Sequence, residues 1–154
     1  MTTTEVEHLR SLILPDRVHG SLYTDPAIWA RELERIWYST WVYVGHASEV
    51  PEPNDYVRKT IGPQQVVMTR DRTGAIHVLH NRCSHRGNLV CDAERGNAGS
   101  FRCPYHGWTF ANTGDLLGFP FNQGYGGSAA RAQLPGLAAT PRVESYRGFV
   151  FASL

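Results

Sequence analysis

A chain of 154 residues and 17.2 kDa has the size of one domain. Folding at this length buries roughly 68–70% of the surface the unfolded form exposes, enough for a true core. Fifteen Lys and Arg against fourteen Asp and Glu leave a formal charge of +1, which excludes the basic stripe of an electrostatic nucleic-acid binder and an acidic disordered tail. No apolar run approaches the ~18 residues a membrane-spanning helix needs. Met1-Thr2-Thr3-Thr4-Glu5 lacks the basic start and apolar stretch of a secretory signal. Three cysteines do not suit a disulfide scaffold, so the expected location is the cytoplasm.

Residues 1–40 read as a polar helical arm. Thr24-Asp25-Pro26 is a helix start, with a side-chain acceptor at the cap and then a proline whose missing N–H costs nothing. Trp29, Leu33, Ile36 and Trp37 then fall at i, i+4, i+7 and i+8, one apolar stripe on a helix. From Trp41 onward the chain reads as strand and turn, residues 41–154 forming one mainly β domain. Trp41-Val42-Tyr43-Val44 is a buried strand by composition. Further strands are expected at Asp55–Ile61, Gln64–Arg70 and Ala75–Asn81, parted by Gly62-Pro63 and by Asp71-Arg72-Thr73-Gly74. Phe101-Arg102-Cys103 and Trp108-Thr109-Phe110 flank a tight segment, Asn112-Thr113-Gly114-Asp115 is a hairpin turn, and Gly124 to Ala132 is loose. Val143–Tyr146 and Gly148–Ala152 close the pattern. Strands at such spacing predict an antiparallel sandwich or barrel.

Chemistry concentrates in two loops. Cys83-Ser84-His85 and Cys103-Pro104-Tyr105-His106 each pair one thiol with one imidazole, and 17 residues separate His85 from Cys103. If two hairpin tips face each other, four soft and borderline ligands converge, a set suited to iron–sulfur, zinc or copper and unsuited to magnesium or calcium. Two thiolates and two imidazoles fit either a structural zinc or a [2Fe–2S] cluster in which two His replace two Cys on one iron. Zinc fingers take their Cys pair from one knuckle and their His pair from a helix. The mixing of types within each loop, in strand-rich sequence, favours the cluster. Cys91 reads as a small buried apolar residue. His77 and His80 stand three apart on a strand and so point to opposite faces.

Cys83-Ser84-His85-Arg86-Gly87 and Cys103-Pro104-Tyr105-His106-Gly107-Trp108 resemble the two ligand loops of a Rieske [2Fe–2S] domain. More specifically, the chain resembles the N-terminal part of the α (large) subunit of aromatic-ring-hydroxylating Rieske non-haem iron oxygenases. The likeness runs from about Tyr23 to Leu154 and includes Asn81-Arg82, Gly96-Asn97, Gly114-Asp115-Leu116 and Gly148-Phe149-Val150-Phe151. It implies a Rieske-type antiparallel β-sandwich with the cluster at two hairpin tips. Cys83 and Cys103 would hold one iron, His85 and His106 the other, and Arg86 and Trp108 would pack or hydrogen-bond around them. The disulfide that joins the loops in respiratory Rieske proteins would be absent, because Tyr105 stands at the second-loop position. The implied role is to take electrons from a ferredoxin or flavin reductase and relay them to a mononuclear Fe(II) that activates O2.

That second iron needs two His and a carboxylate, which the remaining histidines do not supply. The expectation is that the catalytic domain lies outside this chain, that the chain alone is inactive, and that the Trp29 stripe meets a neighbouring chain or further polypeptide. Other α subunits in a trimer, with or without a β subunit, are expected partners by the same resemblance, with no nucleic acid and no membrane. Two alternatives remain: a free-standing Rieske-type ferredoxin, which usually lacks a 40-residue helical arm, and a zinc-stabilised interaction domain.

Overall fold

The computed structural model describes residues 3–154, and the chain divides after Thr40 into two units. In the first, α1 (Thr3–Ser11), α2 (Ser21–Thr24) and α3 (Pro26–Glu32) are short helices. Asp25 caps α3, its Oδ1 accepting from the Ala27 N–H at 2.8 Å, with Pro26 in the first turn. An Arg31–Glu5 ion pair ties α3 to α1. The expected straight stripe is altered beyond Glu32, because Leu33–Trp37 is a π turn in which the Tyr38 N–H reaches back five residues to the Leu33 carbonyl at 2.9 Å. Residues eight apart on an α-helix are separated by about 12 Å along its axis. With the wider turn between them, Trp29 and Trp37 meet edge to face at 6.1 Å.

The second unit holds three antiparallel sheets. The central one orders β4 (Ile76–His80), β3 (Gln64–Arg70), β2 (Asp55–Ile61) and β5 (Arg95–Asn97) side by side. Strand β1 (Val42–His46) pairs with β10 (Phe149–Ser153), which pairs with β9 (Arg142–Tyr146). The third sheet is β6 (Ser100–Arg102), β7 (Thr109–Ala111) and β8 (Leu116–Gly118). Strand β3 shows why the middle sheet is covered twice: Val66, Val67, Met68 and Thr69 are all buried, although neighbouring side chains leave a strand in opposite directions. Thr69 Oγ1 donates to the Asn112 carbonyl at 2.6 Å, at the β7–β8 turn. Met68 reaches the other way, its methyl standing 3.1 Å from where a Cβ on Gly45 of β1 would sit. The sandwich expected from strand spacing is thus joined by a third sheet. Its main core gathers Val67, Leu79, Phe101, Trp108, Phe110 and Leu116 together with Cys83 and Cys103.

The turn from β3 to β4 is held by one buried carboxylate. Asp71 accepts from the Thr73 N–H and hydroxyl at 2.8 and 2.6 Å, from the Ala75 N–H at 3.0 Å, and bonds His77 Nε2 at 2.8 Å. The Thr73 and His77 contacts lead the interactions that hold the Asp71 carboxyl well below the usual aspartate range. A depressed folded-state pKa adds stability that is present above the unfolded value and is lost as pH falls toward the folded one. Asp71→Asn is therefore expected to cost about 1–2 kcal/mol near neutrality. The gap from wild type should narrow below about pH 4, read by urea denaturation at several pH values.

Candidate metal centre

Two loops leave the central and third sheets with the same local design. Each begins Arg-Cys and places glycine four residues after the cysteine: Arg82-Cys83 to Gly87, and Arg102-Cys103 to Gly107. The Gly87 N–H donates to the Cys83 carbonyl at 2.8 Å, and the Gly107 N–H to that of Cys103 at 3.0 Å. The cysteine N–H groups close the other side, Cys83 donating to Asn88 and Cys103 to Trp108, both at 2.8 Å. Both glycines take left-handed φ, +73° and +71°, where an L side chain is strained. A Cβ at Gly87 would stand 2.9 Å from Arg82 Nε, and one at Gly107 would stand 3.3 Å from the Arg102 guanidinium. Asn81 anchors the first loop at its stem: its side-chain oxygen accepts from the N–H groups of Val90 and Cys91 at 3.1 and 2.8 Å, and its amide donates to the Cys91 carbonyl at 2.6 Å. Ser84 Oγ adds a bond to the Pro135 carbonyl at 2.8 Å.

This design brings the four motif residues together as two pairs. Cys83 and Cys103 are buried neighbours whose thiols interact, and the backbone N–H groups of His85 and Arg86 favour the Cys83 thiolate. Burial pushes the Cys83 thiol up, the neighbouring Cys103 adds to that, and the two N–H groups oppose it. His85 and His106 stand 4.8 Å apart by ring centroid at 72°. Desolvation lowers the pKa of His85, with His106 and then Arg86 adding to the effect. Among the described residues, the Nδ1 atoms of His85 and His106 are buried without a hydrogen-bond partner. An unpaired buried ring nitrogen costs free energy, so both atoms are suited to a ligand role.

Among the described residues, no three His, Cys, Asp or Glu side chains converge on one point. A tetrahedral zinc needs four donors around one ion. A sulfide-bridged pair of irons needs two donors at each, and a sulfur pair beside a nitrogen pair is that division. These residues therefore fit a [2Fe–2S] cluster and could hold one.

Around the pairs, Trp108 is buried and stacks on His85 at 4.9 Å with 4° between planes, and Phe119 stacks on Trp108 at 5.1 Å. Tyr105, exposed, lies over His106 at 3.7 Å. Arg86 is exposed beside His85. Cys91 is buried away from the pairs, its thiol 3.5 Å from the Ala93 carbonyl. His77 is engaged with Asp71, while burial lowers the pKa of His80. Sequence reasoning named Arg82 and Arg102 without placing them beside the loop glycines, although the repeated Arg-Cys-x3-Gly spacing was there to suggest it. It also missed Tyr125, whose hydroxyl lies 3.4 Å from His85 Nε2.

Residues 40–146 match the family model described as the Rieske [2Fe–2S] domain. The chain is 42% identical over 143 residues to the N,N-dimethyl phenylurea N-demethylase subunit alpha of Sphingobium sp. (strain YBL2), covering 92% of this chain and 30% of that protein. It is 36% identical over 157 residues to the toluate 1,2-dioxygenase subunit alpha of Pseudomonas putida, covering 97% and 35%. Among solved structures, naphthalene 1,2-dioxygenase from Rhodococcus sp. bound to indole superposes with a TM-score of 0.81 at 40% identity, over 97% of this chain and 34% of that one. The chain thus spans about a third of the length of these relatives. No helix of the described residues is long and apolar enough to cross a membrane.

Proposed function

This chain belongs to the Rieske [2Fe–2S] domain family, and on that premise we propose that it is the electron-input portion of the large subunit of a cytoplasmic ring-hydroxylating oxygenase. Cys83 and Cys103 would hold one iron of the cluster through sulfur, and His85 and His106 would hold the other through their buried Nδ1 atoms. The observation that carries this reading is the two buried, unpartnered Nδ1 atoms on the same two loops that bring a pair of buried, interacting cysteines together. When bound, a cluster with this ligand set supplies one-electron transfer at roughly −150 to +300 mV, and lacking a disulfide between the loops it belongs at the low end.

The chain's own residues do the rest. The His85 and Arg86 N–H groups stabilise the Cys83 thiolate, and the buried Trp108 keeps water from the His85 face. Exposed Arg86 and Tyr105 border the two imidazoles, the side open to a redox partner. That partner is a ferredoxin or flavin reductase as electron source. The implied acceptor is a mononuclear iron that would activate O2; among the described residues no three His, Cys, Asp or Glu side chains are grouped to hold such an ion. Further large subunits in a trimer, with or without a β subunit, complete the assembly. The match to the Pseudomonas putida subunit alpha over 97% of the chain, helical arm included, supports an oxygenase subunit over a free-standing Rieske-type ferredoxin.

Anaerobically purified protein is expected to be red-brown, with iron and labile sulfide released in equal amounts, two of each per chain. Colourless protein that carries zinc and no iron after reconstitution would overturn the cluster reading. A His-x3–5-His pair with a later carboxylate, in coding sequence downstream of Leu154, is the check on the oxygenase reading.

A further inference from the structure

The segment from Phe121 to Gly127 brings to the imidazole pair a residue that the ligand motif does not contain. It is a tight turn closed by the Gly124 N–H on the Phe121 carbonyl at 3.0 Å, the Gly126 N–H on Gln123 at 3.1 Å and the Gly127 N–H on Asn122 at 2.9 Å. Left-handed residues bracket it, Phe121 at φ 56° and Gly126 and Gly127 at 94° and 82°. Phe121 reaches that conformation with its side chain 91% exposed, so burial of its own ring does not hold it there. The segment is held from its other end. Tyr125 stands edge-on to Phe119 at 5.1 Å and to Trp108 at 6.1 Å, which place its hydroxyl 3.4 Å from His85 Nε2. Among the described residues this is the only hydrogen-bond partner of either imidazole side chain; His106 has ring contacts with Tyr105 and His85.

We propose that Tyr125 is a positioning residue for His85: its hydroxyl oxygen accepts the Nε2–H of that ring and holds it flat on Trp108, which fixes how strongly His85 Nδ1 donates to iron. The inference rests on the cluster reading above. A ligating histidine whose far N–H is accepted by an outer partner is oriented and made more basic. A more basic donor favours the ferric state, so Tyr125 lowers the reduction potential on the His85 side. The redox event concerned is the addition of one electron to one ferric ion, supplied by the reductant and with no bond made or broken in the protein.

The test is reductive titration of the holoprotein with dithionite and mediators, together with visible circular dichroism and the EPR of the reduced form. Tyr125→Phe keeps the ring on Phe119 and Trp108 and removes the acceptor alone. The reduction equilibrium against a fixed mediator should move about threefold toward the reduced form, an upward shift of about 28 mV for one electron, with altered EPR g values and unchanged thermal unfolding. Tyr125→Leu, which also removes the ring, should shift the potential in the same direction and weaken the visible circular dichroism by loosening His85. A wild-type potential and EPR spectrum in Tyr125→Phe would overturn the proposal while leaving the cluster reading intact. Wild-type protein with no [2Fe–2S] spectrum would overturn the cluster reading itself.

Discussion

Cys83→Ser is expected to abolish cluster assembly, leaving under about a tenth of the wild-type iron, labile sulfide and visible absorption after reconstitution. Cys83 is 3% exposed and interacts with the neighbouring Cys103, so a solvent molecule has little access to take its place. A serine hydroxyl ionises far less readily than a thiol, and the thiolate is the ligand form. The opposing imidazoles would keep their buried Nδ1 atoms without a metal to satisfy them. The loss should therefore also appear as lower stability, because metal binding free energy is folding free energy where the site forms only in the folded chain. Cys91→Ala is the control. That thiol is buried but bonded to the Ala93 carbonyl, and its replacement should keep iron, sulfide and spectrum within the scatter of the wild type. Iron content retained by Cys83→Ser, or lost in Cys91→Ala, would redraw the ligand set.

The two variants also mark how far the sequence could be read. Cys83, His85, Cys103 and His106 stood out as candidate ligands because ligand chemistry constrains residue type and spacing together, and the fold brings them near one another as two pairs. Strands β2 and β3 were read to their end residues, since Gly62-Pro63 punctuates them and β-branched residues fill them. Strand β5 was missed: its three residues are all exposed and carry no alternation, and the pairing comes from β2, where Asp55 faces Asn97 and Val57 faces Arg95. Strand β8 is as short, and its register shifts against β7 between Thr109 and Phe110. The π turn at Leu33–Trp37 was invisible because an apolar stripe at i, i+4, i+7 and i+8 reads as ordinary helix whether or not one turn widens. Tyr125 escaped for another reason. It reaches His85 from 40 positions away through a glycine-bracketed turn, and no local pattern encodes such a contact.

The largest stability effect is expected at Phe110, which couples the fold to the metal centre. Its side chain is fully buried in the middle of β7, opposite Phe101 of β6, and its ring lies 6.4 Å from that of Trp108. Phe110→Ala removes a large apolar group from a core shared by Leu79, Leu116, Cys83 and Cys103. It leaves a cavity that neighbours on three short strands cannot collapse to fill. Such truncations cost about 3–5 kcal/mol, a large share of the ~5–15 kcal/mol that holds a domain together. At about 2–4 °C per kcal/mol for this chain length, the melting temperature should fall by about 6–20 °C. The same cavity opens behind Trp108, whose stacking on His85 and hydrogen bond from Cys103 shape the second loop. The visible circular dichroism of the cluster should then fade at a lower temperature than in wild type, in step with the far-ultraviolet signal. Phe121→Ala supplies the contrast: with that ring 91% exposed, its loss should change stability by no more than about 0.5 kcal/mol. Equal effects of the two phenylalanines would mean that the core does not run beneath the second loop through Phe110.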